Sequence, residues 1–323
     1  MPSGDLLVSL EDIINARKII RNHVFHTPLI SCINLNQLTD MNIYFKAEVF
    51  QKIGSFKLRG VLNKFNNLTE EEKNRGVITI SAGNHAQSLA YAASQLGIQA
   101  VVIMPYYAAK NKIKATKSYG AEVILQEDSK GLMDQCQEVM EERGLTLVHP
   151  FDDPFIIAGQ GTIGLEIFED FDGDPEVVIV PVGGGGLISG IASAMKLKNS
   201  GIKIIGVEPE GANVMYQSLR KDTVVSLEKI ETIADGLAAP FAGVYTLAHV
   251  KKYVDDIVLV SDEEILQALR LLLIQCKILT EPAGAAGFAA LLTKKIQLQQ
   301  GTQVICVLSG GNIDTTLLGS ILS

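Results

Sequence analysis

Short apolar runs rich in β-branched residues alternate with amphipathic stretches along almost the whole chain. We predict strands at residues 43–48, 76–80, 99–104, 121–126, 146–149, 177–182, 202–207, 256–260 and 303–308. The runs 101–104 and 177–182 are apolar throughout, which is typical of strands that helices cover on both faces. Helical spacing follows between the strands, for example at 83–95, where Gly97 is expected to end the helix. This alternation predicts an α/β fold with parallel sheets.

The predicted strands are many for a single sheet, and those between residues 76 and 149 have a strand–helix rhythm of their own. We therefore predict two domains, each with a parallel-rich twisted sheet flanked by helices. The large domain is discontinuous, from residues 1–70 and 150–323, and the small domain spans residues 71–149. A length of 323 residues is consistent with two domains.

Composition and charge narrow the class of protein. Apolar residues make up 47% and charged residues 20%, as in an ordinary globular protein. The net charge of −8 argues against a nucleic-acid partner and against a basic surface for membranes. The uncharged run 177–195 has the length of a membrane span, but Pro181 and the glycines that follow interrupt it. Charged residues near the start argue against a secretory signal, and the cysteines form no CxxC pair, so we expect a reduced, cytoplasmic protein.

The strongest chemical signal is the run Gly183, Gly184, Gly185 and Gly186 between an apolar strand and a helix start. Glycine backbones let consecutive N–H groups turn toward one point, where the helix N-terminus adds partial positive charge. This arrangement predicts a phosphate cradle, with a tight turn that binds nothing as the alternative. It lacks the Lys-Ser/Thr ending of a nucleotide P-loop, so it does not indicate ATP hydrolysis.

The segment 159–164 matches the dinucleotide pattern GxGxxG letter for letter. The strand before it is poor, however, and the next strand ends in Pro181-Val182-Gly183, where an NAD site would place an acidic residue. We therefore assign no nicotinamide binding to this segment. A dehydrogenase stays only as an alternative, and it predicts NAD binding.

Lys57 lies beside Phe56 at a predicted helix start. A lysine that loses solvation there favours its neutral amine and hence imine chemistry, whereas an ordinary solvated lysine is the alternative. Ser309 follows a predicted strand, at the end where parallel sheets bind ligands, although a simple turn explains it equally well.

Ser81, Asn84 and His85 gather hydroxyl, amide and imidazole groups at another helix start. Such a turn can hold a carboxylate, or it can simply cap the helix. The chain has no GxSxG elbow, which argues against a serine hydrolase. The other histidines (His23, His26, His149 and His249) are expected to have structural or surface roles.

Taken together and in this order, these segments resemble one family over essentially the whole chain. The chain is similar to the fold-type II pyridoxal-phosphate enzymes, in the branch of threonine/serine dehydratases and serine racemases. The matching segments are SFKLRG at 55–60, SAGNHAQ at 81–87, AGQGTIGLEI at 158–167, GGGGL at 183–187, GVEPE at 206–210, ADG at 234–236, EP at 281–282 and SGGN at 309–312. The resemblance implies a tryptophan synthase β-like fold with two domains.

By this resemblance, Lys57 binds pyridoxal 5'-phosphate covalently and removes the substrate Cα proton, and the glycines 183–186 hold the cofactor phosphate. Ser81, Asn84 and His85 bind the substrate carboxylate. The resemblance also places Phe56 on the cofactor ring, Asn84 at the ring hydroxyl, Ser309 at the pyridine nitrogen, and Gly236 and Glu281 close by. The neutral Ser309 holds less positive charge at that nitrogen than a carboxylate would, which favours prompt loss of a β-hydroxyl.

The activity that the resemblance implies is an L-threonine/L-serine ammonia-lyase (dehydratase), which eliminates water and gives 2-oxobutanoate or pyruvate plus ammonia. A racemase needs a second acid/base, and family racemases have a serine immediately before the Gly-Asn of this loop. The residue here is Ala82, which has no proton to give and so favours elimination. The alternatives are a serine racemase with side dehydratase activity, a 3-hydroxyaspartate dehydratase, and a non-catalytic pyridoxal-phosphate binding protein. The family also implies a homodimer.

Racemase-like members hold a divalent cation between a glutamate, a backbone carbonyl and an aspartate. Glu208 and the carbonyl of Ala212 have counterparts here, but Val214 stands where the aspartate would be. Water or Glu210 would have to complete such a site, so we leave a divalent cation open. The chain ends soon after SGGN, so we expect no C-terminal regulatory domain and a role in amino-acid catabolism.

Overall fold

The computed structural model describes residues 6–106, 108, 110–127 and 131–322. The strands are β1 (Leu29–Ser31), β2 (Asn42–Ala47), β3 (Val77–Ile80), β4 (Ala100–Pro105), β5 (Glu122–Gln126), β6 (Thr146–Leu147), β7 (Val177–Pro181), β8 (Lys203–Pro209), β9 (Asp256–Val260) and β10 (Gln303–Leu308). The helices are α1 (Leu10–Ile20), α2 (Ile33–Thr39), α3 (Lys57–Asn66), α4 (Glu70–Arg75), α5 (Asn84–Leu96), α6 (Lys110–Ser118), α7 (Leu132–Arg143), α8 (Pro154–Asp170), α9 (Gly186–Lys198), α10 (Val214–Lys221), α11 (Val244–Tyr253), α12 (Asp262–Leu271), α13 (Pro282–Leu292) and α14 (Thr315–Leu322).

The strands form a six-stranded sheet, in the order β1-β2-β10-β7-β8-β9, and a four-stranded sheet, in the order β5-β4-β3-β6. Every pairing is parallel except that of β1 with β2. The α/β fold is therefore confirmed, and each predicted strand is present. The prediction missed β1, whose three residues are too few to show a pattern.

Helices cover both faces of the larger sheet, as the wholly apolar runs predict. In β7, Val177 and Ile179 pack into the core beneath α12 and α13, whereas Val178 and Val180 pack against α9. The small sheet takes its strands only from residues 77–147, and the larger sheet takes its strands from both sides of that segment. We propose on this basis the domain division 1–70 with 150–323 against 71–149.

The GxGxxG segment lies inside helix α8 and not in a turn after a strand. Its glycines allow close helix packing: a Cβ on Gly159 would lie 2.6 Å from the Cα of Gly60 in α3, and one on Gly161 would lie 3.0 Å from the carbonyl oxygen of Gly190 in α9. Because the N–H groups in the middle of a helix are already bonded, the segment is not a dinucleotide-binding loop. Helix α8 instead packs closely against both α3 and α9.

The uncharged run 177–195 is divided between β7, the glycine turn and α9. Within the described ranges, no helix combines the length and the apolar character needed to cross a membrane.

Candidate active site

The segments that the sequence singled out converge where elements beside the small sheet contact elements of the larger sheet. Asn84, at the start of α5 beside the small sheet, donates from Nδ2 to Oε1 of Glu281 at 2.6 Å. Glu281 precedes α13 on the larger sheet. The N–H of Phe56 donates to the carbonyl oxygen of Ser309 at 3.1 Å, which joins the start of α3 to the end of β10. The cleft thus lies at the carboxyl ends of parallel strands, where such sheets bind ligands.

Lys57 is the first residue of α3, and its Nζ donates to the carbonyl oxygen of Pro150 at 2.7 Å. The Phe56 ring lies beside the amine, with its centroid 5.2 Å from Nζ. The residue as a whole is half-buried, whereas its amine is buried. Burial lowers the pKa of Lys57 to about 8, against an opposing effect of the Glu281 carboxylate. A neutral amine, the form that attacks a carbonyl carbon, is therefore accessible near neutral pH.

Asn84 is held in one orientation by two neighbours. Its Nδ2 donates to Glu281, and its Oδ1 accepts from Nδ2 of Asn312 at 2.9 Å. The buried Glu281 has its pKa raised to about 7 by burial and by Asp235, whereas Lys112 and the bond from Asn84 lower it. Asn312 ends the SGGN segment, but no role of its own was predicted for it.

The glycine turn is packed so closely that only glycine fits. A Cβ on Gly184 would lie 2.5 Å from the ring of Phe151, one on Gly183 would lie 3.1 Å from the Cα of Leu237, and Gly185 has a φ of +93°. Thr246 fixes the turn from behind, because its Oγ1 donates to the carbonyl oxygen of Gly184 at 2.8 Å.

The backbone donors of this turn are free to bind a ligand. In the part of the chain that the structure describes, the N–H groups of Gly183 to Gly186 donate to no protein acceptor. They lie between the end of β7 and the start of α9, where the helix dipole favours an anion. The turn therefore has the geometry of a phosphate cradle.

Ser81 and His85 lie on either side of the first turn of α5. The Ser81 hydroxyl accepts from the N–H of Gly83 at 3.3 Å. His85 is 2% exposed, and its Nε2 lies 3.1 Å from the carbonyl oxygen of Val148. Burial and the nearby Lys57 lower the pKa of His85 to about 3. Because a carbonyl only accepts, Nε2 carries the proton, and a carboxylate would meet the backbone N–H of His85 more readily than its ring.

The remaining predicted cofactor residues line the same cleft. Gly236 lies in a 3₁₀ turn, and a Cβ there would lie 3.4 Å from Oε1 of Glu281. Ser309 is the first residue after β10, and among the described residues its hydroxyl has no protein partner. The structure therefore brings together every residue that the sequence assigned to the cofactor and the substrate.

The segment from His149 to Asp152 also contacts the site, and the role predicted for His149 is a structural or surface one. The carbonyl of Pro150 accepts from Lys57, and Phe151 packs under the glycine turn. Nδ1 of His149 accepts from the N–H of Asp152 at 2.8 Å, and burial and Lys57 lower the pKa of His149. His149 lies two residues after the end of β6, and its bond with Asp152 fixes the turn that contains Pro150 and Phe151.

The residues predicted to bind a cation make other contacts in the structure. Both carboxylate oxygens of Glu208 accept from backbone N–H groups, of Met215 at 2.8 Å and of Tyr216 at 2.7 Å. Val214 packs in the apolar core that includes α9. Burial raises the pKa of Glu208 to about 8, and the two backbone bonds oppose that rise. Across the described ranges, no group of three or more His, Cys, Asp and Glu side chains is arranged to hold a metal ion.

The cleft fits pyridoxal phosphate on its own geometry. The glycine turn offers unpaired N–H groups to a phosphate, and the amine of Lys57 has a lowered pKa that suits a covalent bond to an aldehyde. Asn84 adds an amide that Glu281 and Asn312 hold in one orientation.

Comparisons with known proteins agree with a pyridoxal-phosphate site in this cleft. The family of pyridoxal-phosphate dependent enzymes matches residues 20–310. An L-threonine ammonia-lyase of Thermotoga maritima is 47% identical over 321 residues, which cover 98% of this chain and 79% of the relative. A catabolic L-threonine dehydratase, TdcB, of Staphylococcus aureus is 45% identical over 320 residues, which cover 98% of this chain and 92% of the relative. The structure of maize serine racemase matches with a TM-score of 0.93 at 35% identity, covering 98% of this chain and 97% of that one. The chain therefore belongs to the pyridoxal-phosphate-dependent enzymes, in their fold-type II group.

Proposed function

We propose that the protein is an L-threonine/L-serine ammonia-lyase, which eliminates water from the substrate and gives 2-oxobutanoate or pyruvate plus ammonia. The observation that carries this proposal is that one cleft contains both the buried amine of Lys57, with a pKa of about 8, and a glycine turn whose backbone N–H groups have no protein acceptor. The names of the relatives at 45–47% identity support the choice of reaction and the catabolic role.

Pyridoxal phosphate, when bound, supplies an electron sink for the pair left on the substrate Cα. Nζ of Lys57 accepts the proton from that carbon, because its pKa of about 8 leaves a part of the amine unprotonated near neutral pH. The N–H groups in the first turn of α5, at Asn84 and His85, and the hydroxyl of Ser81 bind the substrate carboxylate at the positive end of the helix dipole. This contact orients the Cα proton toward Lys57.

The other residues of the cleft hold the cofactor. The N–H groups of Gly183 to Gly186 would bind its phosphate, the amide of Asn84 would bind its ring hydroxyl, and Phe56 would pack on its ring. The neutral hydroxyl of Ser309 would be the partner of its pyridine nitrogen, and Gly236 and Glu281 would complete the wall. Glu281 acts through Asn84, whose amide it orients at 2.6 Å.

Serine racemase is the second candidate, because maize serine racemase has the same fold over nearly the whole chain. Against it stands Ala82, whose methyl group neither donates nor accepts a proton at the position where family racemases have a serine. Racemisation needs an acid on the face opposite Lys57, and elimination does not.

The test is product analysis of the purified holoenzyme with L-threonine and L-serine, in which keto acid and D-amino acid are measured together. We expect keto acid without D-serine, no turnover in Lys57→Ala, and a gain of D-serine in Ala82→Ser. D-serine as the main wild-type product would establish the racemase instead. If neither product forms although cofactor is bound, 3-hydroxyaspartate is the next substrate, and a non-catalytic binding protein follows only if that also fails.

We further propose a cytoplasmic homodimer. Ile33 and Ile274 are large apolar residues that are 71% and 56% exposed, and the hydrogen bond from Nδ2 of Asn34 to Oε1 of Gln275 at 2.9 Å brings their segments together. Such a patch is typical of a protein interface. All four cysteines are free thiols, as a reducing compartment would keep them. Light scattering of the wild type should give a dimer and Ile33→Glu a monomer; a monomeric wild type would contradict the proposal.

A further inference from the structure

A buried ion cluster lies behind α3, on the side away from the cleft. It consists of Lys46 in β2, Glu48 in the 3₁₀ turn after β2, Arg59 in α3 and Glu166 in α8. All four side chains are almost completely buried. Arg59 follows Lys57 by two residues, so the two side chains project from nearly opposite sides of the helix. The helix thus carries the reactive amine on one side and the ion cluster on the other.

Arg59 makes two forked contacts. Its Nε and Nη2 each donate to Glu48 at 2.8 Å, and its Nη1 and Nη2 donate to Glu166 at 2.6 and 2.9 Å. Nη1 also donates to Oγ1 of Thr162 at 3.2 Å, and Nη2 to the carbonyl oxygen of Phe25 at 3.2 Å. The guanidinium therefore has every N–H satisfied in a planar arrangement that no other side chain reproduces.

Charges balance inside the cluster. Lys46 bonds Glu166 at 2.9 Å, and it donates to the carbonyl oxygen of Thr27 at 2.6 Å and to the partly exposed Asp170 at 3.1 Å. Two cations thus face two buried carboxylates. Buried ion pairs commonly add no more stability than apolar residues of the same size, so stability alone does not account for this arrangement. The distinctive property of the cluster is the fixed geometry of the hydrogen bonds that Arg59 makes.

The cluster fixes where α3 begins. Phe56, which precedes α3, makes no side-chain cap. The backbones of α3 and α8 touch, since a Cβ on Gly159 would lie 2.6 Å from the Cα of Gly60. A contact between glycines sets the distance between two helices but does not by itself fix how each is turned about its axis. The forks from Arg59 to Glu48 and Glu166 fix that rotation near the start of α3, because they attach to two different elements.

We propose that Arg59 is a positioning residue for Lys57: by bonding Glu48 and Glu166 it fixes the roll of α3 and holds the Lys57 amine in the cleft, on the carbonyl of Pro150. The proposal rests on the proposed function only in taking Lys57 as the lysine that binds the cofactor.

The test is Arg59→Lys, which keeps the charge but replaces the two forks with a single ammonium. As α3 loosens, water reaches the Lys57 amine, and we expect its pKa to rise from about 8 toward the ordinary lysine value. Competitive acetylation of the cofactor-free protein across pH, read by mass spectrometry at Lys57, measures that change directly. We also expect cofactor binding at neutral pH to slow about tenfold or more, and kcat to fall more than KM changes.

The matched control is Lys64→Met. Lys64 also joins α3 to α8, through an ion pair with Asp153 at 2.6 Å, but it lies at the other end of the helix from Lys57. We expect it to lower the melting temperature without changing Lys57 acetylation, cofactor binding or kcat. If Arg59→Lys behaves in the same way, Arg59 is merely structural and the proposal is wrong.

Arg59→Lys could prevent folding, so Glu166→Gln serves as a milder variant that keeps the size of the side chain but removes one acceptor from the fork to α8. We expect the same shifts in Lys57 acetylation and in cofactor binding, reduced in size. If Glu166→Gln folds and shifts neither, the proposal is overturned. Failure of the proposed function is a separate outcome: the wild type would bind cofactor at Lys57 but form no keto acid, while the acetylation readout would still decide the role of Arg59.

Discussion

At the scale of single residues, burial decides the protonation of the side chains around the cleft. His85 is the clearest case, because its pKa falls from 6.5 to about 3. The unfolded chain therefore binds a proton at His85 between these values and the folded protein does not, so folding stability must fall as pH falls through this window. His85→Gln keeps an N–H donor without a titrating group. We expect the wild type to lose up to about 1.4 kcal/mol per pH unit relative to His85→Gln.

The measurement for His85 is urea unfolding of both proteins at a series of pH values. The difference between the two proteins removes the contribution of the carboxylates, which titrate in both. Parallel stability curves would show that His85 is protonated in the folded state.

Lys57 gives a second prediction at this scale. Only the neutral amine attacks the cofactor aldehyde, and burial lowers the pKa of Lys57 to about 8. Cofactor binding by the cofactor-free protein should therefore accelerate as pH rises toward that value and level off above it. Stopped-flow absorbance measures the rate, and Lys57→Ala should show no covalent binding at any pH. A rate that keeps rising through the ordinary range of lysine would mean that water reaches the amine.

Sequence and structure agree best for residues in segments with their own local signal. Lys57, Asn84 and the glycines 183–186 each stand at a helix start, and the structure brings them together. Asn312 was missed because its role arises from a contact with Asn84, a residue far away in the chain. No pattern within a segment contains that information.

At the scale of elements, helix α8 organises the site through close contacts. A Cβ on Gly190 would lie 2.4 Å from the nitrogen of Gly161 and 2.4 Å from the carbonyl oxygen of Ile157. Gly190→Ala should force α9 away from α8 and cost about 1–3 kcal/mol of unfolding free energy. Gly319→Ala is the matched control, because that helical position faces open space and should gain about 0.5–1 kcal/mol. Thermal unfolding compares them, and equal melting temperatures would contradict the close packing.

Strands with continuous apolar character were predictable because burial on both faces leaves a run that no amphipathic helix shows. Strand β1 escaped because it is short and lies at the edge of the sheet, where its pairing with β2 defines it. The glycines of α8 match the sequence pattern of a dinucleotide-binding loop, but their spacing arises from close packing of α8 against α3 and α9.

At the scale of the whole molecule, an ion pair joins the two sides of the cleft. Lys112 in α6, beside the small sheet, pairs with Asp235 in the turn beside Gly236. Asp235 raises the pKa of Glu281, and Lys112 lowers it. Asp235→Asn should therefore lower the pKa of Glu281, and Lys112→Met should raise it. A ¹³C NMR titration of the Glu281 carboxyl measures both, and the double variant is the control, with a pKa near the wild-type value of about 7. If both variants changed the pKa of Glu281 in the same direction, the charges of Lys112 and Asp235 would not control that pKa.

The position of β10 between β2 and β7 also governs when the protein can become functional. Gln303 pairs with Asn42, and Val304 pairs with Val177, so the middle of the larger sheet depends on residues made late. The small sheet closes within residues 77–147 and can form while the ribosome is still translating. Until residues 303–308 emerge, β2 and β7 have unpaired edges that invite association with other chains. Lys57, Asn84 and the glycine turn are thus translated long before the strand that brings them together, and cofactor capture has to wait for that strand.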